Sequence, residues 1–224
     1  AVNGNTRDGL MTLLRQTFQR ALELVLPARC VGCGKARTYL CDSCVDSMDV
    51  PRLRTIAADG YAFDGVTSAV VYDGVARDAV HQLKFRNVRA IATYMAVPMA
   101  RGISASLALD AVVPVPLHRS RLRERGYNQA ALLGRSIAEQ IDVPFEPTWL
   151  TRTHQSGRQV EAKDVAARQA NVRSAFLSST AVAGLRVALV DDVMTTGATL
   201  DAAAVALKAA GALAVHCYTF ARDV

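Results

Sequence analysis

The sequence is poor in aromatic residues, which make up 6% of its 224 residues and include one tryptophan. Proteins that bind single-stranded nucleic acid usually interleave basic residues with aromatic ones, on which the bases stack. No stretch of this sequence shows a clear pattern of that kind. The sequence also lacks an uninterrupted apolar run of about 18 residues, the length that suggests a membrane-spanning helix. These absences count against a stacking platform for nucleic acid and exclude membrane insertion.

The first residues do not follow the basic, apolar and small-residue order of a secretory signal peptide. We therefore expect a cytoplasmic protein. The chain does have an excess of basic residues, with a formal net charge of +6 and a sequence pI of about 9.3. Arginine dominates the basic residues and suits bidentate recognition of phosphate oxygens. The composition favours an anionic partner, and a phosphate compound and nucleic acid both qualify.

Four of the five cysteines form two C-x2-C pairs in the segment CVGCGKARTYLCDSC. They are Cys30, Cys33, Cys41 and Cys44. Two such turns supply the four soft sulfur ligands of a tetrahedral structural zinc site. An iron–sulfur cluster also uses four thiolates, and the spacing leaves that alternative open. We predict an N-terminal helix (LMTLLRQTFQRALELVLP) plus zinc module over residues 1–56 and a second domain over residues 57–224.

From Asp110 onward the sequence alternates strands with helices. DAVVPVPL, RVALV and LAVHCYTFA are apolar runs typical of strands in a parallel sheet that is covered on both faces. YNQAALLGRSIAEQI and GATLDAAAVALKAAGA have the composition of helices, and the second is predicted to end near Gly211. Upstream, YAFDGVTSAVVYDG predicts two short strands, and residues 75–103 predict a helix in two pieces broken around Asn87. The alternation predicts an α/β domain in which ligands bind beyond the carboxyl ends of the strands.

Two adjacent aspartates follow the strand RVALV in the stretch VALVDDVMTTGATL. We expect Asp191 and Asp192 just past the carboxyl end of that strand. The next residues form a short loop into a helix and are Thr195, Thr196, Gly197, Ala198 and Thr199. Backbone N–H groups, hydroxyls and the positive end of a helix dipole make such a loop a phosphate cradle. The lysine-containing pattern of a P-loop is absent, and one glycine is too few for a dinucleotide-binding turn.

Adjacent carboxylates raise each other's pKa unless cations or hydrogen-bond donors intervene. A sugar phosphate fits both halves of the stretch, because its two adjacent hydroxyls can donate to the carboxylates while its phosphate sits on the loop. An ordinary helix cap after a strand would explain Thr195 or Thr196 but not the two aspartates.

At these residues the sequence resembles a known motif. VALVDDVMTTGAT resembles the phosphoribosyl-pyrophosphate (PRPP) motif of the type I phosphoribosyltransferases. VVPVPLHRSRLRERGYNQAALL, YDGVARDAVHQLKFR and the cysteine pairs extend the resemblance to the ComF (GntX-like) competence family over nearly the whole length. The resemblance implies a type I phosphoribosyltransferase-like parallel sheet flanked by helices, with a small N-terminal zinc-binding module. It also implies a link to the handling of DNA taken up during competence.

The resemblance implies roles for individual residues. Asp191 and Asp192 would bind the ribose diol and favour the positive charge that develops on the sugar, as the catalytic residues, and residues 195–199 would bind the 5′-phosphate. Pyrophosphate would bind the turn formed by Val115, Pro116, Leu117, His118 and Arg119. A flexible catalytic loop within residues 151–176 would carry Arg158, Gln159 and Arg168. Mg²⁺ would enter with PRPP, because it prefers phosphate oxygens and waters.

Two functions remain open at this point. The first is a phosphoribosyltransferase that uses PRPP and a nitrogen acceptor, or a sensor of PRPP or a ribose-5-phosphate-like ligand. No residue stands out as a general base, so the acceptor is not identified. The second is a non-catalytic protein that binds single-stranded DNA or competence-machinery proteins through the zinc module and the basic surface.

Overall fold

The computed structural model describes residues 27–51, 55–57, 60–153 and 175–223. The predicted N-terminal helix lies outside these ranges, as do Arg158, Gln159 and Arg168 of the predicted loop. The boundary between a module at 1–56 and a domain at 57–224 stays a prediction.

Seven strands form two sheets in the described part of the chain. They are β1 (Thr55–Ala57), β2 (Gly65–Val71), β3 (Ala111–Pro114), β4 (Leu150–Arg152), β5 (Phe176–Ser178), β6 (Arg186–Met194) and β7 (Ala214–Arg222). The main sheet has the order β1-β2-β7-β6-β3, in which β1 is the antiparallel edge strand and the others are parallel. β4 and β5 form a separate antiparallel pair. The predicted parallel α/β architecture is confirmed.

Helices cover both faces of the main sheet. The α-helices in the described ranges are α1 (Asp42–Asp46), α2 (Gly74–Phe85), α3 (Ile91–Ala100), α4 (Arg119–Arg125), α5 (Gln129–Ile141) and α6 (Ala198–Ala209). The apolar sides of α2, α3 and α5 pack on one face, and α6 packs on the other. Because the central strands are buried on both sides, they have no polar face, which explains apolar runs such as RVALV.

The sequence prediction was wrong for YAFDGVTSAVVYDG, which forms one strand, β2, rather than two short ones. Six of the seven β2 residues are buried, because the strand lies inside the sheet beside β7. The broken helix is confirmed as α2 and α3, with Asn87 between them in the left-handed conformation at φ 57°. The end of the last helix is also confirmed, since α6 stops at Ala209 and Gly211 has φ 96°.

Candidate functional site

The acidic pair and the predicted pyrophosphate turn lie side by side. β3 pairs with β6 in parallel register, with Pro114 opposite Val190. The N–H of Val115 then donates to the carbonyl of Val190 at 2.9 Å. The turn after β3 therefore begins next to Asp191. Two segments separated by about 75 residues in the sequence meet at the carboxyl end of the sheet, the edge where such folds bind ligands.

The two aspartates lie inside β6 and not past its end, which corrects the sequence prediction. The strand continues to Met194, and Asp191 is in register with Thr219 of β7. Successive side chains of a strand point to opposite faces. Asp192 accordingly is 4% exposed on the side of α2, whereas Asp191 is half-buried and lines a small concavity with the loop that follows. The pleat separates the two carboxylates more than adjacency in the sequence suggests.

Lys84, at the end of α2, provides the counter-charge for the acidic pair. Its Nζ lies 3.0 Å from Oδ1 of Asp192, and both side chains are largely buried. The second oxygen, Oδ2 of Asp192, is buried and has no hydrogen-bond partner in the described structure. An unpaired buried acceptor costs about 1–3 kcal/mol, so this oxygen favours an incoming donor such as a hydroxyl. Lys84 lies within YDGVARDAVHQLKFR, but nothing in that stretch indicates its pairing with an aspartate more than 100 residues away.

Asp191 titrates near neutrality. Burial, followed by the charge of Asp192, raises the pKa of Asp191 to about 7. The N–H of Asp192 donates to Oδ1 of Asp191 at 2.8 Å, and this bond, with the charges of Lys84 and Arg152, offsets only part of the increase. The carboxyl can therefore exchange a proton in the physiological range.

The loop after β6 has the geometry expected of an anion cradle. Gly197 caps the N-terminus of α6 in the left-handed conformation, at φ 77°. The backbone N–H groups of Thr195, Thr196 and Gly197 donate to no acceptor among the described residues. The Thr196 hydroxyl accepts from the N–H of Ala198 at 3.4 Å. Free donors at a helix N-terminus favour a phosphate.

Tyr61, which precedes β2 in the chain, contacts this loop and was not identified from the sequence. Its hydroxyl donates to the carbonyl of Thr196 at 3.1 Å, and its ring stacks on Phe63 at 4.7 Å. The neighbouring N–H of Ala62 donates to Asp201 of α6 at 2.6 Å. More than 130 residues separate these partners, so no local pattern could have indicated the contact.

The turn after β3 is built around a buried Val115. The side-chain amide of Asn128 donates to the carbonyl of Val115 at 2.9 Å, while its oxygen caps α5. Pro116 and Leu117 are half-buried, and the N–H of Leu117 has no acceptor in the described ranges. His118 caps α4 by accepting from the N–H of Ser120, and Arg119 is exposed. Asn128 is thus a further positioning residue that the sequence analysis did not assign.

The four clustered cysteines converge. Their sulfur atoms lie within 4.8 Å of one another, and Cys41 Sγ is 3.7 Å from both Cys30 Sγ and Cys33 Sγ. A tetrahedral zinc ion with bonds of about 2.3 Å would separate its sulfurs by about 3.8 Å, so the arrangement fits a four-thiolate metal site. None of the five cysteines, all of them described, forms a disulfide, and Cys217 is buried in the core.

Within the cluster, the surroundings of Cys30 favour its deprotonated, thiolate form. Burial raises the pKa of Cys30, but hydrogen bonds from the backbone N–H groups of Cys33, Cys41 and Gly32 outweigh it and lower the pKa to about 6. Burial and the neighbouring thiols raise the pKa of Cys44 to about 12. A Cβ on Gly32 would lie 2.8 Å from Cys44 Sγ, so only glycine fits this turn without displacing a sulfur.

The chain matches one known domain family and is similar to several known proteins. Residues 127–223 match the family model of the phosphoribosyl transferase domain. Competence protein F of Haemophilus influenzae is 35% identical over 58% of this chain and 57% of its own. The DNA utilization protein YhgH of Salmonella typhimurium is 34% identical over 65% of this chain and 66% of its own. The chain thus spans less than two thirds of the length of these relatives.

Two further similarities extend the comparison. Competence protein ComFC of Bacillus subtilis is 26% identical over 91% of this chain and 89% of its own. A solved structure, glutamine PRPP amidotransferase from B. subtilis, is 24% identical with a TM-score of 0.43. The match covers 58% of this chain and 26% of that chain.

None of the helices in the described ranges combines the length and the apolar character that a membrane-spanning helix needs.

The parallel sheet, the helices on both faces and the matched domain define a protein of the phosphoribosyltransferase type. Within this class, the chain is similar to competence and DNA utilization proteins. It also has a four-cysteine cluster that precedes the sheet. The chain is a ComF-like protein.

Proposed function

We propose that the protein binds PRPP at the carboxyl end of β6 and transfers its phosphoribosyl group to a nitrogen acceptor. One observation carries the proposal: a half-buried carboxylate, Asp191, lies beside a loop with three free backbone N–H groups. The carboxylate suits a ribose hydroxyl, and the backbone N–H groups suit the 5′-phosphate. The turn that starts at Val115 is the proposed position of pyrophosphate.

The acidic pair would act through charge. Asp191 accepts from a ribose hydroxyl, whereas Asp192, on the opposite face of β6 and paired with Lys84, contributes its charge from behind the strand. Lys84 neutralises one carboxylate, so the pair repels the polyanionic substrate less than two free carboxylates would. The remaining negative charge favours the cationic ribose of the transition state.

The reaction would break the bond between C1′ and the pyrophosphate oxygen, and pyrophosphate would leave with the electron pair. A nitrogen lone pair then forms the new bond to C1′, and the nitrogen releases its proton. Mg²⁺ enters as part of the substrate, bound to pyrophosphate oxygens. The loop residues Arg158, Gln159 and Arg168 would cover the site during this step.

Titration calorimetry with PRPP and Mg²⁺ tests binding. The wild type should bind, and Asp191→Asn should weaken binding about tenfold or more, since a hydrogen bond to a charged group contributes about 1.5–3 kcal/mol. Glu139→Gln, an exposed change on α5, is the control and should bind like the wild type. Absence of PRPP binding by the wild type would refute the proposal.

The metal of the cysteine cluster is proposed to be Zn²⁺ with a structural role. A site with four protein ligands is closed, so it organises a short segment and takes no part in the reaction. Elemental analysis of zinc and iron together distinguishes zinc from an iron–sulfur cluster.

A second candidate is a protein that binds PRPP without transferring it and acts with DNA or with competence-machinery proteins. The names of the similar proteins favour this setting, because they are described as competence and DNA utilization proteins. Pyrophosphate release from PRPP, measured with a panel of nitrogen acceptors, separates the candidates. Binding without release under every condition would favour the second one.

A further inference from the structure

One of the four clustered sulfurs is open to solvent. Cys33 is exposed, whereas Cys30, Cys41 and Cys44 are 3%, 8% and 8% exposed. The next residue, Gly34, has φ 74°, and a Cβ added there would meet no atom within 4 Å. A small solute can therefore approach Cys33 without a change in the fold, and the burial of the other three sulfurs prevents such an approach.

The charge around Cys33 is positive. Residues 29–41 include three basic residues and no acid, and the basic ones are Arg29, Lys35 and Arg37. All three are exposed, and none has a described carboxylate within 4.0 Å. The guanidinium of Arg29 donates to the carbonyl of Gly34 at 3.4 Å, next to Cys33 in the chain. Reactive cysteines typically lie in partly exposed surroundings of this kind.

A second sulfur lies within reach of Cys33. Sγ of Cys41 is 3.7 Å from Sγ of Cys33, and a disulfide requires an approach to about 2.05 Å. Sγ of Cys30 instead accepts from the backbone N–H of Cys41 at 3.4 Å. A movement of Cys30 toward Cys33 would leave that buried donor unpaired, which has a free-energy cost. Cys41 is therefore the sulfur best placed to pair with Cys33.

We infer that Cys33 is a modification site for hydroperoxides, and that its oxidation to a disulfide with Cys41 opens the cysteine site. The Cys33 thiolate attacks one oxygen of the hydroperoxide. The S–O bond forms, the O–O bond breaks, and the leaving oxygen takes a proton to give an alcohol or water. The Cys41 thiolate then attacks Sγ of Cys33, and the departing hydroxide becomes water. The two sulfurs lose two electrons, which the hydroperoxide gains.

This disulfide would remove half of the metal ligands. A metal binds the thiolate form of cysteine, so the oxidised cluster would retain only Cys30 and Cys44 as ligands. Gly32 packs against Val75, so loss of the metal would also disturb the contact of this segment with α2. The inference rests on the proposed Zn²⁺ of the cluster and does not depend on PRPP binding.

Limited alkylation followed by peptide mass spectrometry tests the access to Cys33. The wild-type protein, shown by elemental analysis to contain zinc, is treated with iodoacetamide for increasing times. Cys33 should be labelled first, at least about tenfold faster than the other three clustered cysteines. Cys217 is 0% exposed and serves as the internal control, which should stay unlabelled.

Stepwise addition of hydrogen peroxide tests the disulfide. Zinc release, followed with a chromogenic chelator, should rise together with a disulfide between Cys33 and Cys41 in the peptide map. A thiol reductant with added Zn²⁺ should reverse both changes. In Cys41→Ser the second sulfur is missing, so dimedone should trap a sulfenic acid on Cys33. Cys44→Ser is the matched control, because it also removes one thiolate and should still form the disulfide.

Three results would overturn the inference and leave the zinc site in place. One is labelling of a buried cysteine before Cys33. Another is oxidation of Cys33 without a disulfide to Cys41. The third is full retention of zinc at peroxide concentrations that oxidise free glutathione. A wild-type protein that contains no zinc would overturn both the proposed metal and the inference.

Discussion

Lys84 and Asp192 form the most buried ion pair among the described residues, with side chains 20% and 5% exposed. Removing one partner of such a pair leaves the other charge buried and uncompensated. We expect Lys84→Met to lower the free energy of unfolding by ~3 kcal/mol, measured by urea denaturation. Lys84→Arg should retain most of the stability.

The pair between Lys208 and Asp64 is the control for this prediction. It is shorter, at 2.7 Å, but its side chains are 30% and 41% exposed. Solvent screens such a pair, so Lys208→Met should cost less than ~1 kcal/mol. Equal losses in the two variants would contradict a special role for Lys84.

Asp191 should make stability depend on pH. Its pKa is raised from 3.8 to about 7 by burial and by the Asp192 charge. An acid with a raised pKa favours the folded state at low pH, and this contribution is lost as pH rises through about 7. Asp191→Asn should therefore gain stability relative to the wild type as pH increases from about 4 to above 7. Urea denaturation across this range measures the difference, and a constant difference would contradict the prediction.

At the scale of elements, β6 and α6 position the loop between them through Gly197. This residue has φ 77°, and a Cβ on it would lie 3.1 Å from Met194 Cε and 3.5 Å from the Tyr61 ring. We expect Gly197→Ala to cost ~1–2 kcal/mol in stability and also to weaken PRPP binding. Thermal unfolding and titration calorimetry measure the two effects.

Gly184 offers a matched comparison for Gly197. Its φ is 76°, but a Cβ there would have no neighbour within 4 Å. Gly184→Ala should show a similar backbone cost with unchanged PRPP binding. If both variants bind PRPP like the wild type, the loop after β6 is not the phosphate site.

At the scale of the whole molecule, the cysteine cluster is part of the main core. Gly32 packs against Val75 of α2, and the Tyr39 ring contacts the Tyr94 ring of α3 at 6.2 Å between centres. Because α2 also carries Lys84, the cluster and the candidate site share one supporting helix. The contacts of the folded cysteine segment with α2 therefore help to hold Lys84 in position.

Metal removal should thus destabilise more than the cysteine segment. A metal that binds only the folded state adds its binding free energy to stability. Chelation should lower the midpoint of thermal unfolding, and Zn²⁺ should restore it while Mg²⁺ should not. An unchanged midpoint, after elemental analysis has confirmed metal loss, would contradict a structural role.

Much of the fold was predictable because it depends on local patterns. Apolar runs such as RVALV indicated buried parallel strands, and the break between two helical stretches was visible around Asn87. The acidic pair and the four cysteines were also recognisable, since their spacing in sequence reflects the ligands they suit. β2 was misread because its burial depends on its neighbour β7, which lies about 150 residues away.

The sequence by itself determined which chemical groups are present: adjacent carboxylates, a loop rich in hydroxyls, four thiols and an excess of arginine. Only the tertiary structure decided how these groups face one another. It turned Asp191 and Asp192 to opposite sides of β6, brought Lys84 to Asp192, and placed Phe85 among the arginines of α4. The physical reason is that composition and spacing act over a few residues, whereas charge pairing and stacking depend on distances that packing sets between distant segments.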